Sequence, residues 1–128
     1  GLVVPSIKDV DRKTIFELSE ELMEISLRAK EKKLRPDELV GSTFTISSLG
    51  GIGGTRFSPI VNPPEVAILG VSRSKWSPVF NKETNSFDPR YVMPFCVSYD
   101  HRVIDGAAGA LFTTQLTNIL GNEKNFED

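Results

Sequence analysis

The chain has 128 residues, enough for one domain and too few for two ordinary ones. Its 39% hydrophobic and 25% charged residues are typical of a globular protein, and its net charge of −2 provides no basic surplus for nucleic acid. No apolar run approaches the roughly 18 residues of a membrane helix, and the single cysteine, Cys96, excludes an internal disulfide and favours a reducing compartment.

The first third of the chain predicts one long helix between two short elements. Residues 2–5 are β-prone and end in a proline, which favours a short strand. Thr14 and Glu17 have the spacing of a capping box, and apolar residues at steps of three and four then predict an amphipathic helix over residues 14–33. Residues 36–38 predict a second, short helical turn. The inward face of the long helix is predicted to comprise Ile15, Leu18, Leu22, Ile25 and Ala29.

The middle of the chain predicts two strands that are separated by a glycine-rich loop. Residues 43–48 alternate between apolar and polar side chains, which predicts a strand with Phe44 and Ile46 on its apolar face. Residues 50–54 contain four glycines and predict a flexible loop. Residues 66–71 are continuously apolar, as expected for a strand that is buried on both faces.

The last third predicts a hairpin and a helix. Residues 78–80 and 91–99 are interpreted as the two strands of the hairpin, which the polar stretch 81–90 connects. Pro94 in the second strand indicates an edge or a bulge. Residues 107–120 predict a helix that ends at Gly121. Its inward side chains are predicted to be Ala108, Leu111, Phe112, Leu116, Ile119 and Leu120. Strands and helices that follow no strict alternation indicate an α+β fold.

The one histidine, His101, is the main candidate for acid–base chemistry. It lies between an apolar strand and a helix, where loops often carry catalytic groups. An imidazole titrates near neutral pH and can therefore take and return a proton. Asp105, four residues on, could orient the ring or hold the loop. A surface or capping histidine among ordinary turn residues remains the alternative.

Other reactive residue types give weaker signals. Cys96 lies in an apolar strand, where a free cysteine usually packs in the core. Residues 50–55 lack the Gly-Lys-Ser/Thr ending of a phosphate loop, and Arg56 replaces the third glycine of a dinucleotide fingerprint. Ser47 and Ser48 end a strand and could donate to an oxyanion, although serines are common at strand ends. One histidine and one cysteine do not make a zinc site.

Four sequence motifs together carry a resemblance to a known family. Residues 100–106 read Asp-His-Arg-Val-Ile-Asp-Gly, and residues 43–50 read Thr-Phe-Thr-Ile-Ser-Ser-Leu-Gly. Residues 59–71 read Pro-Ile-Val-Asn-Pro-Pro-Glu-Val-Ala-Ile-Leu-Gly-Val, and residues 1–5 read Gly-Leu-Val-Val-Pro. In order and spacing they resemble the dihydrolipoyl acyltransferase components of 2-oxo acid dehydrogenase complexes, and the resemblance covers essentially the whole chain.

The resemblance implies a fold and a set of partners. The fold is α+β and chloramphenicol-acetyltransferase-like, a mixed sheet flanked by helices that would be incomplete on its N-terminal side. Residues 1–128 would be the C-terminal portion of a catalytic domain nearly twice as long, without a lipoyl or peripheral-subunit-binding domain. The implied partners are further copies in trimers and in cubic or dodecahedral cores, a lipoyl domain and the missing N-terminal half, with neither nucleic acid nor membrane. The implied location is the bacterial cytoplasm or the mitochondrial matrix, not secretion.

The resemblance also implies a reaction, the transfer of an acyl group between dihydrolipoamide and coenzyme A in a channel between subunits. The glycine-rich run and residues 107–110 are more similar to those of acetyl-transferring members than to those of succinyl-transferring ones, and a branched-chain acyl group stays open as the alternative. By motif match, His101 is the general base, Ser47 donates to the oxyanion and Asp105 orients the site. The implied substrate-binding residues are Ser48, Gly50, Arg102 and Gly106. Coenzyme A acts as a substrate, the lipoyl group is carried on a separate domain, and no metal is implied.

Two other functions remain open from the sequence. One is an inert core or scaffold fragment of such a complex. Because inert core subunits tend to lack the histidine, the presence of His101 favours catalysis. The other is an acetyltransferase that acts on a small molecule, as chloramphenicol acetyltransferase does, and the match of residues 46–50 and 62–65 argues against it.

Overall fold

The computed structural model describes residues 2–127, and Gly1, the first residue of the N-terminal motif, lies outside them. The chain divides into two compact units, Gly1–Thr43 and Phe44–Asp128. Among the described residues, no helix is both long and apolar enough to cross a bilayer. The two units are described in turn.

The N-terminal unit is built on helix α1, Ile15–Lys30. Thr14 Oγ1 accepts from the Glu17 N–H at 3.2 Å, and the Glu17 carboxylate accepts from the Thr14 N–H at 2.7 Å, so the predicted capping box is confirmed. The helical turn predicted at residues 36–38 is confirmed as a 3₁₀ turn at Pro36–Leu39. A second 3₁₀ turn, Val10–Arg12, precedes α1.

Two expectations for this unit are wrong. Residues 2–5 form no strand, because no segment within residues 2–127 forms a ladder with them and a strand needs a partner for its backbone groups. The predicted inward face of α1 is only partly buried. Ile25 is 3% exposed, but Ile15 is 65% exposed, because residues 2–43 form no further helix or strand long enough to cover the first turns.

A partly buried ion pair joins α1 to the Pro36–Leu39 turn. Glu38 is buried, and its carboxylate accepts from Arg28 Nη1 at 2.7 Å and from the Arg35 N–H at 2.8 Å. The hydrogen bond from Arg28, followed by the one from the Arg35 backbone, lowers the pKa of Glu38 to about 2. The charged carboxylate therefore holds the turn against the helix.

The C-terminal unit contains five strands and one helix. They are β1 (Thr45–Ser48), β2 (Ala67–Val71), β3 (Lys75–Asn81), β4 (Ser86–Val92), β5 (Phe95–Tyr99) and α2 (Gly106–Leu120). β1, β2 and β5 form a mixed sheet in that order, in which β2 pairs parallel with β1 and antiparallel with β5. The predicted α+β class is confirmed.

The hairpin differs from the prediction. β3 pairs with β4, whereas residues 95–99 pair with β2 as β5. The segment interpreted as a polar connection holds most of β4. Its register brings Phe87 opposite Phe80 and Tyr91 opposite Trp76, with both pairs of ring centroids 5.4 Å apart. These cross-strand aromatic pairs stabilise the β3–β4 hairpin, whose second strand ends at residue 92 and not at residue 99.

Burial along the sheet and α2 follows the prediction only in part. β2 is the centre of the sheet, with Ile68 5% exposed, as expected for a strand buried on both faces. On β1 the predicted alternation is confirmed, but the apolar side chain lies on the open face: Ile46 is 65% exposed, whereas Thr45 and Ser47 are half-buried. Thr45 Oγ1 donates to the buried Glu65 carboxylate at 2.7 Å, which accounts for the inward polar face.

Helix α2 is confirmed, but its predicted inward face is not. Ala108 and Leu111 are exposed, and Leu111 reaches 71%. The helix instead turns Gly109 towards β5, where a Cβ on that glycine would lie 2.7 Å from Tyr99 Cε1. The close approach therefore occurs at the glycine, while Leu111 is largely uncovered and Phe112, Ile119 and Leu120 are 42–44% exposed.

Candidate active site

Backbone hydrogen bonds fix the turn that carries His101. The Asp100 N–H donates to the Val66 carbonyl at 2.8 Å, which continues the β2–β5 pairing by one residue. The N–H groups of Val103 and Ile104 both donate to the Asp100 carbonyl at 3.0 Å. His101 is the first residue after Asp100 in this turn, and its side chain is exposed. The candidate base is therefore held on a defined backbone and is open to a substrate.

The side chain of Asp100 tightens the same turn. Its carboxylate accepts from the Arg102 N–H at 3.0 Å and from Arg102 Nη2 at 2.7 Å. The hydrogen bonds from Arg102, first from its side chain and then from its backbone, lower the pKa of Asp100 to about 2. Arg102, predicted as a substrate contact, is thus tethered to the turn while its side chain stays 89% exposed.

Asp105 begins helix α2. Its carboxylate accepts from the Ala108 N–H at 2.8 Å, the hydrogen bond of an N-cap residue. Gly106, predicted as a substrate contact, is the first residue of the helix. Asp105 therefore fixes where α2 starts relative to the His101 turn, and its carboxylate is engaged with the helix.

The serine pair lies at the C-terminal end of β1. Ser47 is half-buried and pairs with Gly70, and the more exposed Ser48 pairs with Val71. The glycine loop follows directly. Arg73, which sequence reasoning did not assign, donates from Nε to the Gly50 carbonyl at 3.1 Å and from Nη2 to the Gly51 carbonyl at 3.3 Å. No local sequence signal marked this contact, because the partners are more than twenty residues apart.

One chain does not bring the histidine and the serine together. On β2, Gly70 pairs with Ser47 and Ala67 pairs with Tyr99, the last strand residue before the His101 turn. Ser47 and the His101 turn therefore lie towards opposite ends of the sheet. Three residues along a strand span about 10 Å, and β1 and β5 lie on either side of β2, a further ~9.5 Å apart. The predicted catalytic residues therefore form two separated half-sites within this unit. The histidine half-site is the turn at residues 100–106, and the serine half-site is Ser47 and the loop after it.

A cleft of about 450 Å³ opens beside the histidine half-site. Its walls are mainly apolar, with the Asp100–Arg102 pair on one side. The apolar residues are Val61, Pro63, Pro64, Val66 and Val103.

Residues 2–127 contain no group of three or more His, Cys, Asp and Glu side chains arranged to hold a metal ion.

Cys96 belongs to neither half-site. Its thiol donates to the Phe57 carbonyl at 2.7 Å, and a Cβ on the facing Gly70 would lie 2.9 Å from its Sγ. The structure thus places Cys96 in the packing of the sheet, in agreement with the interpretation from the sequence.

Comparison with known proteins identifies the family. Residues 1–126 match the 2-oxoacid dehydrogenases acyltransferase (catalytic domain) family. The chain belongs to this family, so the resemblance in its motifs is confirmed. It is 57% identical to the dihydrolipoyllysine-residue acetyltransferase component of the pyruvate dehydrogenase complex of Haemophilus influenzae, over 95% of this chain and 21% of the relative. The corresponding Pseudomonas aeruginosa component is 52% identical, over 95% of this chain and 22% of the relative.

Solved structures show the same fold. Azotobacter vinelandii dihydrolipoamide acetyltransferase has a TM-score of 0.93 and 51% identity, covering 98% of this chain and 51% of that one. In that enzyme a serine, a histidine and an asparagine four positions after the histidine have a role in the catalytic mechanism. The cubic core of a pyruvate dehydrogenase multienzyme complex has a TM-score of 0.93 and 50% identity, with the same coverage of 98% and 51%. This chain therefore spans about a fifth of these curated relatives and half of these solved chains.

Proposed function

We propose that the chain transfers an acetyl group between dihydrolipoamide and coenzyme A, as part of the core of a pyruvate dehydrogenase complex. The observation that carries the proposal is the exposed imidazole of His101 on a turn that backbone hydrogen bonds hold in place. The names of its relatives, which are acetyltransferase components of that complex, support the choice of acyl group.

His101 is the general base in this proposal. It takes the proton from the thiol of coenzyme A, whose ordinary pKa of about 8.5 leaves little thiolate at neutral pH. The thiolate attacks the thioester carbonyl of acetyl-dihydrolipoamide, which forms the new carbon–sulfur bond. His101 then returns the proton to the lipoyl sulfur as the old carbon–sulfur bond breaks. The same residue serves the reverse reaction.

Ser47 stabilises the tetrahedral intermediate, and Asp105 positions the histidine half-site. The hydroxyl of Ser47 donates to the oxyanion that forms from the thioester carbonyl. Asp105 caps α2 through the Ala108 N–H and so acts on the geometry of the site. In the Azotobacter vinelandii enzyme an asparagine stands four positions after the histidine, and an asparagine side chain can also cap a helix. Ser48, Gly50, Arg102 and Gly106 border the two half-sites and are the proposed substrate contacts.

A second copy of the chain completes the site. The histidine and serine half-sites lie towards opposite ends of one sheet, so a thioester that meets both must lie between two copies. The similar cubic core of a pyruvate dehydrogenase complex supports self-association. We propose trimers that build a larger core, with the lipoyl group delivered by a separate domain. The relatives are bacterial, which favours the bacterial cytoplasm as the location.

The experiment that tests the proposal measures acetyl transfer from acetyl-coenzyme A to dihydrolipoamide. His101→Ala is expected to lower kcat by about 100-fold or more, because general acid–base catalysis typically contributes that much. Lys124→Ala, in the C-terminal 3₁₀ turn Glu123–Phe126, is the control and should retain wild-type activity. A wild-type rate that survives in His101→Ala would contradict the assigned base. Transfer to a small hydroxyl acceptor in preference to dihydrolipoamide would contradict the proposed substrate.

The separation of the half-sites also supports one alternative, a scaffold fragment that does no chemistry. A chain that stays monomeric presents each half-site without its complement. Wild-type protein that assembles and yet shows no transfer would favour this alternative. Activity that rises with assembly would favour the enzyme.

A further inference from the structure

We propose that Tyr99 is a positioning residue that holds the imidazole of His101 in its working orientation. The proposal rests on the proposed function, in which His101 is the base. Tyr99 is the last residue of β5 and lies two positions before His101. Its ring centroid is 6.0 Å from the imidazole centroid, with the ring planes inclined by 41°. This is within the range of a tilted aromatic contact.

Tyr99 is itself held between the sheet and α2. Its backbone pairs with Ala67 on β2, and the residue is half-buried. On the helix side, a Cβ on Gly109 would lie 2.7 Å from Tyr99 Cε1 and 3.0 Å from Cζ, which is closer than ordinary contact. The phenol ring thus occupies the space that a side chain at position 109 would fill. A ring fixed in this way presents a defined surface to its neighbour.

His101 needs such a neighbour because its backbone is fixed and its side chain is not. Across residues 2–127, the structure gives the imidazole no hydrogen bond and no ion pair, and the Tyr99 ring is its one aromatic contact. Side-chain torsions choose among staggered rotamers, and a neighbouring ring that contacts one of them favours it. Positioning matters to rate because a misplacement of about 1 Å can cost ~100-fold.

Two variants separate the contribution of the Tyr99 ring from that of its hydroxyl, and a third is the control. Tyr99→Phe keeps the ring and is expected to hold kcat within about twofold of wild type. Tyr99→Leu removes it and is expected to lower kcat about tenfold, with a smaller change in the KM for coenzyme A, because orientation of the base acts on the chemical step. Tyr91→Leu is the control, because the other tyrosine contacts Trp76 on the hairpin.

A spectroscopic readout keeps this test independent of activity. His101 is the one histidine, so protein labelled with ¹³C at histidine Cε1 gives a single imidazole signal. The Tyr99 ring is expected to cause a ring-current shift of this signal in wild type, and the phenylalanine ring to cause the same shift in Tyr99→Phe. The shift is expected to be absent from Tyr99→Leu. If Tyr99→Leu does not fold, Gly109→Ala displaces the Tyr99 ring from the other side and is expected to move the same signal.

The outcomes are separable. A ring-current shift that Tyr99→Leu abolishes, in a wild-type protein without acetyl transfer, would support the contact and contradict the proposed function. An unchanged imidazole signal in Tyr99→Leu, or in Gly109→Ala where the leucine variant fails, would overturn the contact. A loss of kcat in Tyr99→Phe as large as in Tyr99→Leu would also overturn the proposal, because it would assign the effect to the hydroxyl.

Discussion

At the level of single residues, glycines set how closely the C-terminal unit packs. A Cβ on Gly70 would lie 2.9 Å from both Cys96 Sγ and Phe57 Cζ, and 3.1 Å from Pro59 Cδ. Gly109 makes an equally close approach between α2 and the Tyr99 ring. By contrast, a Cβ on Gly51 would have no neighbour within 4 Å. The tight glycines lie on the central strand and on the helix beside β5, which position the two half-sites.

Gly70→Ala is expected to destabilise the protein by about 1–3 kcal/mol, the usual cost of overpacking a filled site. The reason is that side chains from two segments, Phe57 and Pro59 in one and Cys96 on β5, would have to move together. Thermal unfolding measures the change. Gly51→Ala is the matched control and should stay within about 0.5 kcal/mol of wild type, as surface changes usually do. Equal stability of Gly70→Ala and wild type would contradict the packing described for the sheet.

The single-residue features were predicted from the sequence where the chemistry is local. Thr14 and Glu17 form the capping box because its partners are three residues apart. The Asp100 turn has the same local character, although its Arg102 contact was not predicted. Arg73 and Glu65 were missed because their partners Gly50 and Thr45 are twenty or more residues away. Such contacts depend on the sheet, which no local spacing reveals.

At the level of elements, charged side chains fix where α2 begins and join the Pro36–Leu39 turn to α1. Asp105 starts α2. Glu38 joins the Pro36–Leu39 turn to α1 through Arg28, with the carboxylate oxygen and guanidinium nitrogen 2.6 Å apart. Because Glu38 is buried and Arg28 is half-buried, this pair is less screened from solvent than the exposed Glu31–Lys33 pair that follows α1.

The Glu38–Arg28 pair predicts an acid dependence of stability. Because the folded-state pKa of Glu38 is lowered from 4.5 to about 2, its contribution is complete above about pH 5 and is lost as the pH falls towards 2. Glu38→Gln is expected to lower the unfolding midpoint by several degrees at pH 7 and by progressively less towards pH 2. Unfolding curves at a series of pH values measure both effects.

Glu31→Gln provides the control for this prediction. Glu31 pairs with Lys33 on the surface, and an exposed pair of this kind contributes little to stability. Its variant should therefore follow the wild-type curve closely. A constant difference between Glu38→Gln and wild type from pH 7 to pH 2 would contradict the assigned role of the carboxylate.

The positions of elements along the chain were easier to predict than their pairing or their buried faces. Helices α1 and α2 and strand β2 lie close to where periodicity placed them. The hairpin was misassigned because its register depends on cross-strand contacts between aromatic rings. The face of α2 was misassigned because Gly109, rather than the leucines, approaches the sheet. Amphipathic periodicity identifies an apolar face but not what covers it.

At the level of the whole molecule, large apolar side chains remain exposed on both units. Leu22 and Met23 on α1 are 53% and 72% exposed, and Ile46 on β1 and Leu111 on α2 are 65% and 71% exposed. Exposed apolar side chains that cluster into a patch are typical of faces that bind further protein. This exposure agrees with a chain that spans about half of the solved structures it resembles and with the proposed assembly of copies.

The candidate site could be predicted as a set of residues but not as a geometry. The match of the motifs to the family predicts His101, Ser47 and Asp105 as the site residues. Their separation follows from the parallel pairing of β1 and the antiparallel pairing of β5 on the two sides of β2, which is a property of the sheet. We therefore propose that a working site combines the histidine of one copy with the serine of another.

Complementation between two inactive variants tests this claim most directly. His101→Ala lacks the base, and Ser47→Ala lacks the oxyanion donor, whose loss typically costs about 100-fold or more in rate. When the two variants are unfolded together and reassembled, sites with both residues intact form if each site spans two copies. We predict that the mixture recovers a substantial fraction of wild-type acetyl transfer, while each variant that is reassembled alone does not. A mixture that remains as inactive as its components, in assemblies shown to contain both variants, would contradict the account.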